Sequence, residues 1–125
     1  MSIANQLETK LMQEVFGNTS FANITTIYGA LHTGDPGETA TASFLASAKP
    51  QTIVFNTATS AVTNAATVTW TCSSTGTITY ISLRTASTTG GAVALWSGAL
   101  TASKVVANVG DQVQLASAAL TVTLT

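Results

Sequence analysis

The spacing of apolar residues changes after Phe21, and this change constrains the fold more than any other feature. Before it, apolar side chains recur at every fourth position, at Ile3, Leu7, Leu11 and Val15. That spacing is typical of one face of an α-helix. After it, apolar residues alternate with Thr and Ser, and β-branched residues dominate, as in strands. The sequence therefore predicts one N-terminal amphipathic helix followed by a mainly β domain.

The helix is predicted over residues 2–16. Ser2 is a suitable N-cap, and Gly17-Asn18 supplies residues that adopt the left-handed conformation at helix ends. Two roles for the helix stay open, because composition does not separate them. It can pack on its own domain, or it can reach onto a neighbouring subunit as an arm.

The β region contains about eight candidate strands separated by turn-forming residues. In the first strand, Ile27 and Leu31 lie on one face with Gly29, whereas Tyr28 and His32 lie on the other. A turn at 33–37, a long irregular loop at 38–50 and a hairpin at Gly90-Gly91 interrupt the pattern. We expect an antiparallel, jelly-roll-like β-sandwich. The candidate strands are residues 24–32, 52–56, 66–71, 77–84, 92–97, 103–107, 112–116 and 120–125.

Length and composition set the organisation. With 125 residues, the chain is expected to form a single domain, 1–125, with the helix at 1–18 and the sandwich at 22–125. Charged residues make up 7% of the sequence, against about 25% in typical soluble domains. Because the cores of protein interfaces are depleted in charge, much of the surface is expected to contact other subunits.

The same composition argues against several partners. A net charge of −1 provides no field that would attract nucleic acid or an anionic membrane. No apolar run approaches the ~20 residues of a membrane-spanning helix, and the first residues lack the order of a signal peptide. We therefore expect no nucleic-acid partner, no membrane partner and no export route.

Residues suited to catalysis or metal binding are few. His32, the one histidine, lies beside the Asp35 turn, where it either pairs with that carboxylate or satisfies local backbone groups, the interpretation we favour. Cys72, the one cysteine, excludes an intramolecular disulfide and is predicted to be a small core residue. Asp35, Glu38 and Asp111 lack the ligand spacing of a calcium loop. We expect no enzyme, no catalytic residue, no cofactor and no metal.

Two further groups of residues have alternative interpretations. The aromatic residues Trp70, Trp96, Tyr28 and Tyr80 could form a sugar-binding platform, but aromatic residues in alternating strands are more often core residues. Arg84 stands among apolar and hydroxyl residues. It either pairs with a carboxylate of its own chain or anchors an intersubunit contact, where arginine is enriched.

The turn segment resembles a motif of a known family. The run IYGALHTGDPGE at residues 27–38 is similar to the stretch VYVALHTADPGE of small tailed-phage virion proteins, often labelled tail-fibre or minor structural proteins. The opening SIANQLETKL and the following FGNTSF resemble that family's SLSNYLENKLL and FGGTAF. Further matches follow in the same order at residues 76–80, 89–91, 95–101 and 110–111, and the family's glycine-rich segment is replaced at 43–50.

The resemblance implies a structural component of a phage virion, made in the host cytoplasm, whose partners are other virion proteins and itself. The leading interpretation is a capsid decoration or cement protein that stabilises the head by subunit packing. The alternative is a tail-fibre, minor tail or adaptor protein that contributes to host attachment. A trimer is plausible for either. A lysin-like hydrolase is disfavoured, since it would need paired acids or a zinc site.

Six residues are candidates for the interface between subunits. The helix and the turn at 33–37 combine apolar side chains with exposed backbone groups, so both are expected near intersubunit contacts. Replacing Leu7 and Leu11 with Glu should then weaken assembly. The candidates are Leu7, Leu11, His32, Asp35, Pro36 and Arg84.

Overall fold

The structure is a computed structural model that describes residues 2–17, 24–45, 48–56, 61–87 and 93–123. Its strands pair antiparallel, and one helix lies near the N-terminus. The prediction of a mainly β fold with an N-terminal helix is confirmed. The elements are β1 (Ser2–Ile3), α1 (Asn5–Phe16), β2 (Ile27–His32), β3 (Gln51–Ile53), β4 (Ala61–Thr63), β5 (Val68–Thr71), β6 (Gly76–Arg84), β7 (Ala94–Val106), β8 (Gln112–Leu115) and β9 (Thr121–Thr123).

A five-stranded sheet with the order β1-β7-β6-β2-β3 forms the centre of the fold. Two ribbons, β4-β9 and β5-β8, accompany it. Leu31, Ile81 and Trp96 from the sheet share one buried apolar cluster with Trp70 and Leu120 from the ribbon side. The sheet and the ribbons thus enclose the core between two layers, which agrees with the predicted sandwich-like fold.

The two faces of β2 carry different side chains, as the two-residue period predicts. Leu31 is opposite Ile81, and both are buried in the core. On the other face, Tyr28 is opposite Arg84 and His32 is opposite Tyr80. The sheet therefore has one apolar face and one face with buried polar groups.

Gly29 allows the sheet and a ribbon to approach closely. A Cβ atom at this position would lie 2.5 Å from Ile53 Cδ1 and 3.0 Å from Trp70 Cζ2. The absence of a side chain lets the Trp70 indole lie against β2, where its Nε1–H donates to the Gly29 carbonyl at 3.0 Å. Trp70 is 1% exposed, so this hydrogen bond satisfies a donor that water does not reach. The prediction that the aromatic residues are core residues is confirmed for Trp70 and Trp96, whereas Tyr28 and Tyr80 are half-buried and lie outside the core cluster.

Asn64 anchors the connection between β8 and β9. Its amide donates to the carbonyls of Ala66 and Ala116, at 3.0 and 2.8 Å, and its Oδ1 accepts from the Leu120 N–H at 2.9 Å. The side chain is fully buried. Because it satisfies backbone groups on both sides of the 117–119 turn, Asn64 ties this turn to the end of β4.

The helix differs from the prediction at both ends. Ser2 is not an N-cap, because Ser2 and Ile3 are extended and pair with Ser97 and Trp96 of β7. The helix begins at Asn5, and its N-cap, Ala4, provides no side-chain hydrogen bond. Gly17 is right-handed, with φ −92°, so its predicted left-handed conformation is wrong. Asn18 lies outside the described residues.

Several strand predictions also need correction. Residues 92–97 and 103–107 do not form two strands separated at Gly98, because one strand, β7, runs from Ala94 to Val106 and pairs with β6 on either side of a bulge at residues 100–103. The first strand begins at Ile27 rather than at 24, and β4 was not predicted. The predicted hairpin at Gly90-Gly91 and the end of the last strand, at 124–125, lie outside the described residues.

Candidate assembly surfaces

The helix presents apolar side chains both to its own domain and to solvent. The Ala4 N–H donates to the Leu95 carbonyl, and the Ala94 N–H donates to Gln6 Oε1 at 2.8 Å, which holds the start of the helix against β7. Leu7 is half-buried and packs against the core. Leu11 is 40% exposed. The first half of the helix therefore packs on its own domain, and the apolar second half is uncovered.

The uncovered part of α1 forms a continuous apolar surface, which we call the distal helix stripe. Its side chains are spaced by three and four positions, so they share one side of the helix. Met12 is 59%, Val15 68% and Phe16 77% exposed. The helical period in the sequence indicates an apolar side of α1, but it does not indicate which part of that side remains uncovered. The stripe consists of Leu11, Met12, Val15 and Phe16.

A second apolar surface lies between β7 and the β8–β9 region, and we call it the β7–β8 groove. Its volume is about 340 Å³. Apolar side chains dominate its walls, and among the described residues that line it Lys104 is the one with a charge. The apolar lining residues alternate with Thr, Ala and Gln in the sequence. This pattern predicts strands, but it does not predict a groove between two of them. The lining includes Trp96, Leu100, Ala102, Lys104, Leu115 and Leu120.

A buried polar cluster lies on the other face of the sheet, around His32. Because a carbonyl only accepts, Nδ1–H donates to the Ala42 carbonyl at 3.0 Å. The Ser82 hydroxyl then donates to Nε2 at 2.7 Å in the neutral ring. Both side chains are fully buried. A histidine close to a serine hydroxyl is also the geometry that activates a nucleophile, but a substrate could not reach this pair in the present conformation.

Burial and charge both disfavour protonation of the His32 ring. Burial lowers its pKa from the ordinary value of 6.5, the hydrogen bond to Ala42 opposes this, and the nearby Arg84 guanidinium lowers the pKa further. Burial also lowers the pKa of Arg84. His32 is therefore neutral near pH 7 and acts there as a hydrogen-bonding link between the sheet and residue 42.

Phe44 covers the polar cluster. Its ring meets the His32 ring edge-on, with centroids 5.5 Å apart and planes at 77°. The Arg84 guanidinium carbon lies 5.6 Å from the Phe44 centroid, within the range of a cation–π contact. Phe44 also forms a bridge with His32 through the backbone. The loop at 33–45 is thus fastened to the sheet by aromatic, cationic and hydrogen-bonding contacts.

The turn at 33–37 is stabilised locally. The Asp35 carboxylate is exposed and accepts from the Gly37 N–H at 2.9 Å. Pro36 is buried, and its carbonyl accepts from the Ala42 N–H at 3.1 Å. Gly37 has φ +71°, a conformation that glycine adopts without strain. The carboxylate therefore serves the turn, and His32 takes the neighbouring backbone as its partner.

The six candidate interface residues fall into two separate groups. Leu7 and Leu11 lie on α1, whereas His32, Asp35, Pro36 and Arg84 surround the turn and the polar cluster. Of the second group, only Asp35 has an exposed side chain. A role of any of the six in binding another subunit stays a prediction.

The remaining reactive groups have structural surroundings. Cys72 is fully buried, and burial, with a contribution from the Asp111 carboxylate, raises the pKa of its thiol. Within the described ranges, no three His, Cys, Asp or Glu side chains lie close enough to hold a metal ion. No helix in that part of the chain is long and apolar enough to cross a membrane.

Comparison with known proteins identifies one family. No curated protein matches the chain. Residues 2–123, however, match the family described as podophage GP4 fiber I protein gp80. This match includes the helix and every strand described above. The chain therefore belongs to the podophage GP4 fiber I protein gp80 family and is a structural protein of a phage virion.

Proposed function

We propose that the protein is a tail-fibre component of the virion, and that it works by packing against other virion proteins and against itself. The observation that carries the proposal is the family match over residues 2–123, since the family is one of fibre proteins. This favours the fibre interpretation over capsid decoration, which was the leading expectation from the sequence. In this role the chain is not an enzyme and needs no cofactor.

The exposed surface supports a packing function. The distal helix stripe and the β7–β8 groove are both apolar and open, and Val105 and Val109 are each 71% exposed. Large contiguous apolar patches on a soluble protein usually mark interaction sites. The low charge of the chain, 7% of residues, agrees with surfaces that are covered after assembly.

Copy number in separated virion fractions tests the proposal. Purified particles are divided into heads and tails, and the protein is quantified by mass spectrometry against the major capsid subunit and a known tail subunit. A tail-fibre component is expected at low copy number in the tail fraction. High copy number in the head fraction would instead establish a decoration protein, and absence from both would refute a virion role.

A further inference from the structure

The distal helix stripe and the β7–β8 groove are separate surfaces of the chain. The helix is held near the start of that strand, at Ala94 and Leu95. The side of the helix that carries Gln6 and Gln13 borders Val93. The groove is lined on β7 by Trp96 and by residues 99–104, and none of its lining residues belongs to α1. The helix of one chain therefore leaves the groove of the same chain open.

The dimensions of the two surfaces correspond. The distal helix stripe, from Leu11 to Phe16, is about 7.5 Å long at 1.5 Å per residue. On β7, Ala99 and Lys104 pair with Tyr80 and Ile78, which are two positions apart on β6, so this wall of the groove spans about 7 Å along the sheet. The groove has a volume of about 340 Å³, space for on the order of ten waters. Those waters would lie against mainly apolar walls, so their replacement by apolar side chains is favourable.

The charges of the two surfaces are opposite. Glu8 is exposed and precedes Leu11, Met12 and Val15 by three, four and seven positions, so it lies within the same side of the helix. Lys104 is exposed at the groove and is its charged lining residue. A helix lying in the groove can place the carboxylate beside the ammonium group.

We infer that the distal helix stripe of one copy docks in the β7–β8 groove of a second copy of this chain. This inference deepens the proposed packing function and rests on it. The contact is heterologous, since two different surfaces of the chain meet, and such contacts close into a ring or continue as a filament. Each chain then donates one helix and receives one.

Two single substitutions break the contact from opposite sides. Val15→Glu places a charge in the helix stripe, and Ala102→Glu places bulk and negative charge at an exposed position of the groove. Gln13→Glu is the matched control, because it adds the same charge on the helix side that borders Val93. By analytical ultracentrifugation, wild type and Gln13→Glu should self-associate alike. Val15→Glu and Ala102→Glu should each self-associate at least about tenfold more weakly than wild type, which corresponds to the loss of one buried contact of modest strength.

A mixture of the Val15→Glu and Ala102→Glu chains distinguishes helix-to-groove docking from other modes of self-association. The Ala102→Glu chain keeps its helix, and the Val15→Glu chain keeps its groove, so an equimolar mixture should form a heterodimer at concentrations at which each variant alone is monomeric. Helix-to-helix pairing predicts instead that Ala102→Glu self-associates like wild type, a result that would overturn the inference. A mixture that stays monomeric, or a wild type that is monomeric at all concentrations, would overturn it too.

Charge reversal provides an independent test. Lys104→Glu and Glu8→Lys should each weaken self-association by about fivefold, the scale of an exposed ion pair. The double variant should recover most of the loss, and Lys49→Glu, at an exposed lysine outside the groove lining, should have no effect. Failure of the double variant to recover would contradict the Glu8–Lys104 pairing. If the protein occurs in tails but shows none of these effects, the fibre function stands and only the helix-to-groove contact fails.

Discussion

Replacing Asn64 with alanine should destabilise the fold far more than replacing an exposed asparagine nearby. Asn64 is fully buried, and its side chain forms three hydrogen bonds to backbone groups. The variant leaves the Leu120 N–H buried without its acceptor, and the carbonyls of Ala66 and Ala116 lose their donors. An unsatisfied buried group costs about 1–3 kcal/mol. Because water reaches the partly buried carbonyls more easily, we expect a total loss of about 2 to 4 kcal/mol.

Asn56 provides the matched control. It is exposed, and its amide donates to Thr63 Oγ1 at 3.2 Å. Asn56→Ala should cost no more than about 0.5 kcal/mol, as is usual for surface substitutions. Urea unfolding followed by circular dichroism measures both losses, and the midpoint should shift without a change in slope. In thermal melts, each kcal/mol should lower Tm by roughly 4 °C.

The losses of stability of Asn64→Ala and Asn56→Ala can contradict this account. If Asn64→Ala lost no more stability than Asn56→Ala, the buried hydrogen bonds would not hold the 117–119 turn. Asn64→Asp separates the two functions of the amide, because it keeps an acceptor for the Leu120 N–H but loses both donors. A carboxylate would then face two carbonyls in a buried site, so its loss of stability should be at least as large as that of Asn64→Ala.

Three further outcomes are expected. The pKa of His32 is lowered in the folded state, so the free energy of unfolding should decrease as pH falls below the ordinary value of 6.5, until the lowered pKa is passed. His32→Gln should flatten this profile in unfolding titrations, and an unchanged slope would contradict the assignment. Gly29→Ala should cost about 1–3 kcal/mol by overpacking against Ile53, whereas Gly76→Ala, with neighbours at 3.6 Å or more, should cost much less; equal losses would refute the close approach. Cys72 should react with a thiol reagent only at the rate of unfolding, and rapid labelling of the native protein would show that the thiol is accessible.

Local sequence pattern predicts much of the sheet. The two faces of β2, the position of β6 and the burial of Trp70 follow from two-residue alternation and aromatic placement. This works because strand faces are set by neighbouring residues along the chain. The helical stripe from Leu7 to Val15 follows in the same way from spacing by four positions.

Features that depend on distant residues were not predictable. Ser2 pairs with β7, more than ninety positions away, so its extended conformation overrides a favourable N-cap. Gly98 looks like a break but lies within β7, because it pairs with Ile81 of β6, and the irregular part of β7 comes after it, at residues 100–103. The contact of His32 with Ser82 and the covering of Arg84 by Phe44 join segments that no local pattern connects.

The two candidate surfaces, too, are predictable from the sequence only in part. The apolar character of the distal helix stripe is visible in the sequence, but its exposure depends on where β7 holds the first turn of α1. The β7–β8 groove exists because β8 pairs with β5 and not with β7. Composition indicates that apolar surface will be covered by other subunits, and only the three-dimensional arrangement indicates which surface.

Electron microscopy of virions that lack this protein tests the central claim most directly. Particles from a phage with the gene deleted are compared with wild-type particles and with particles complemented by the intact chain. We predict that density in the tail-fibre region disappears on deletion and returns on complementation, while the head shell is unchanged. Loss of density from the head surface, with complete tail fibres, would contradict the account.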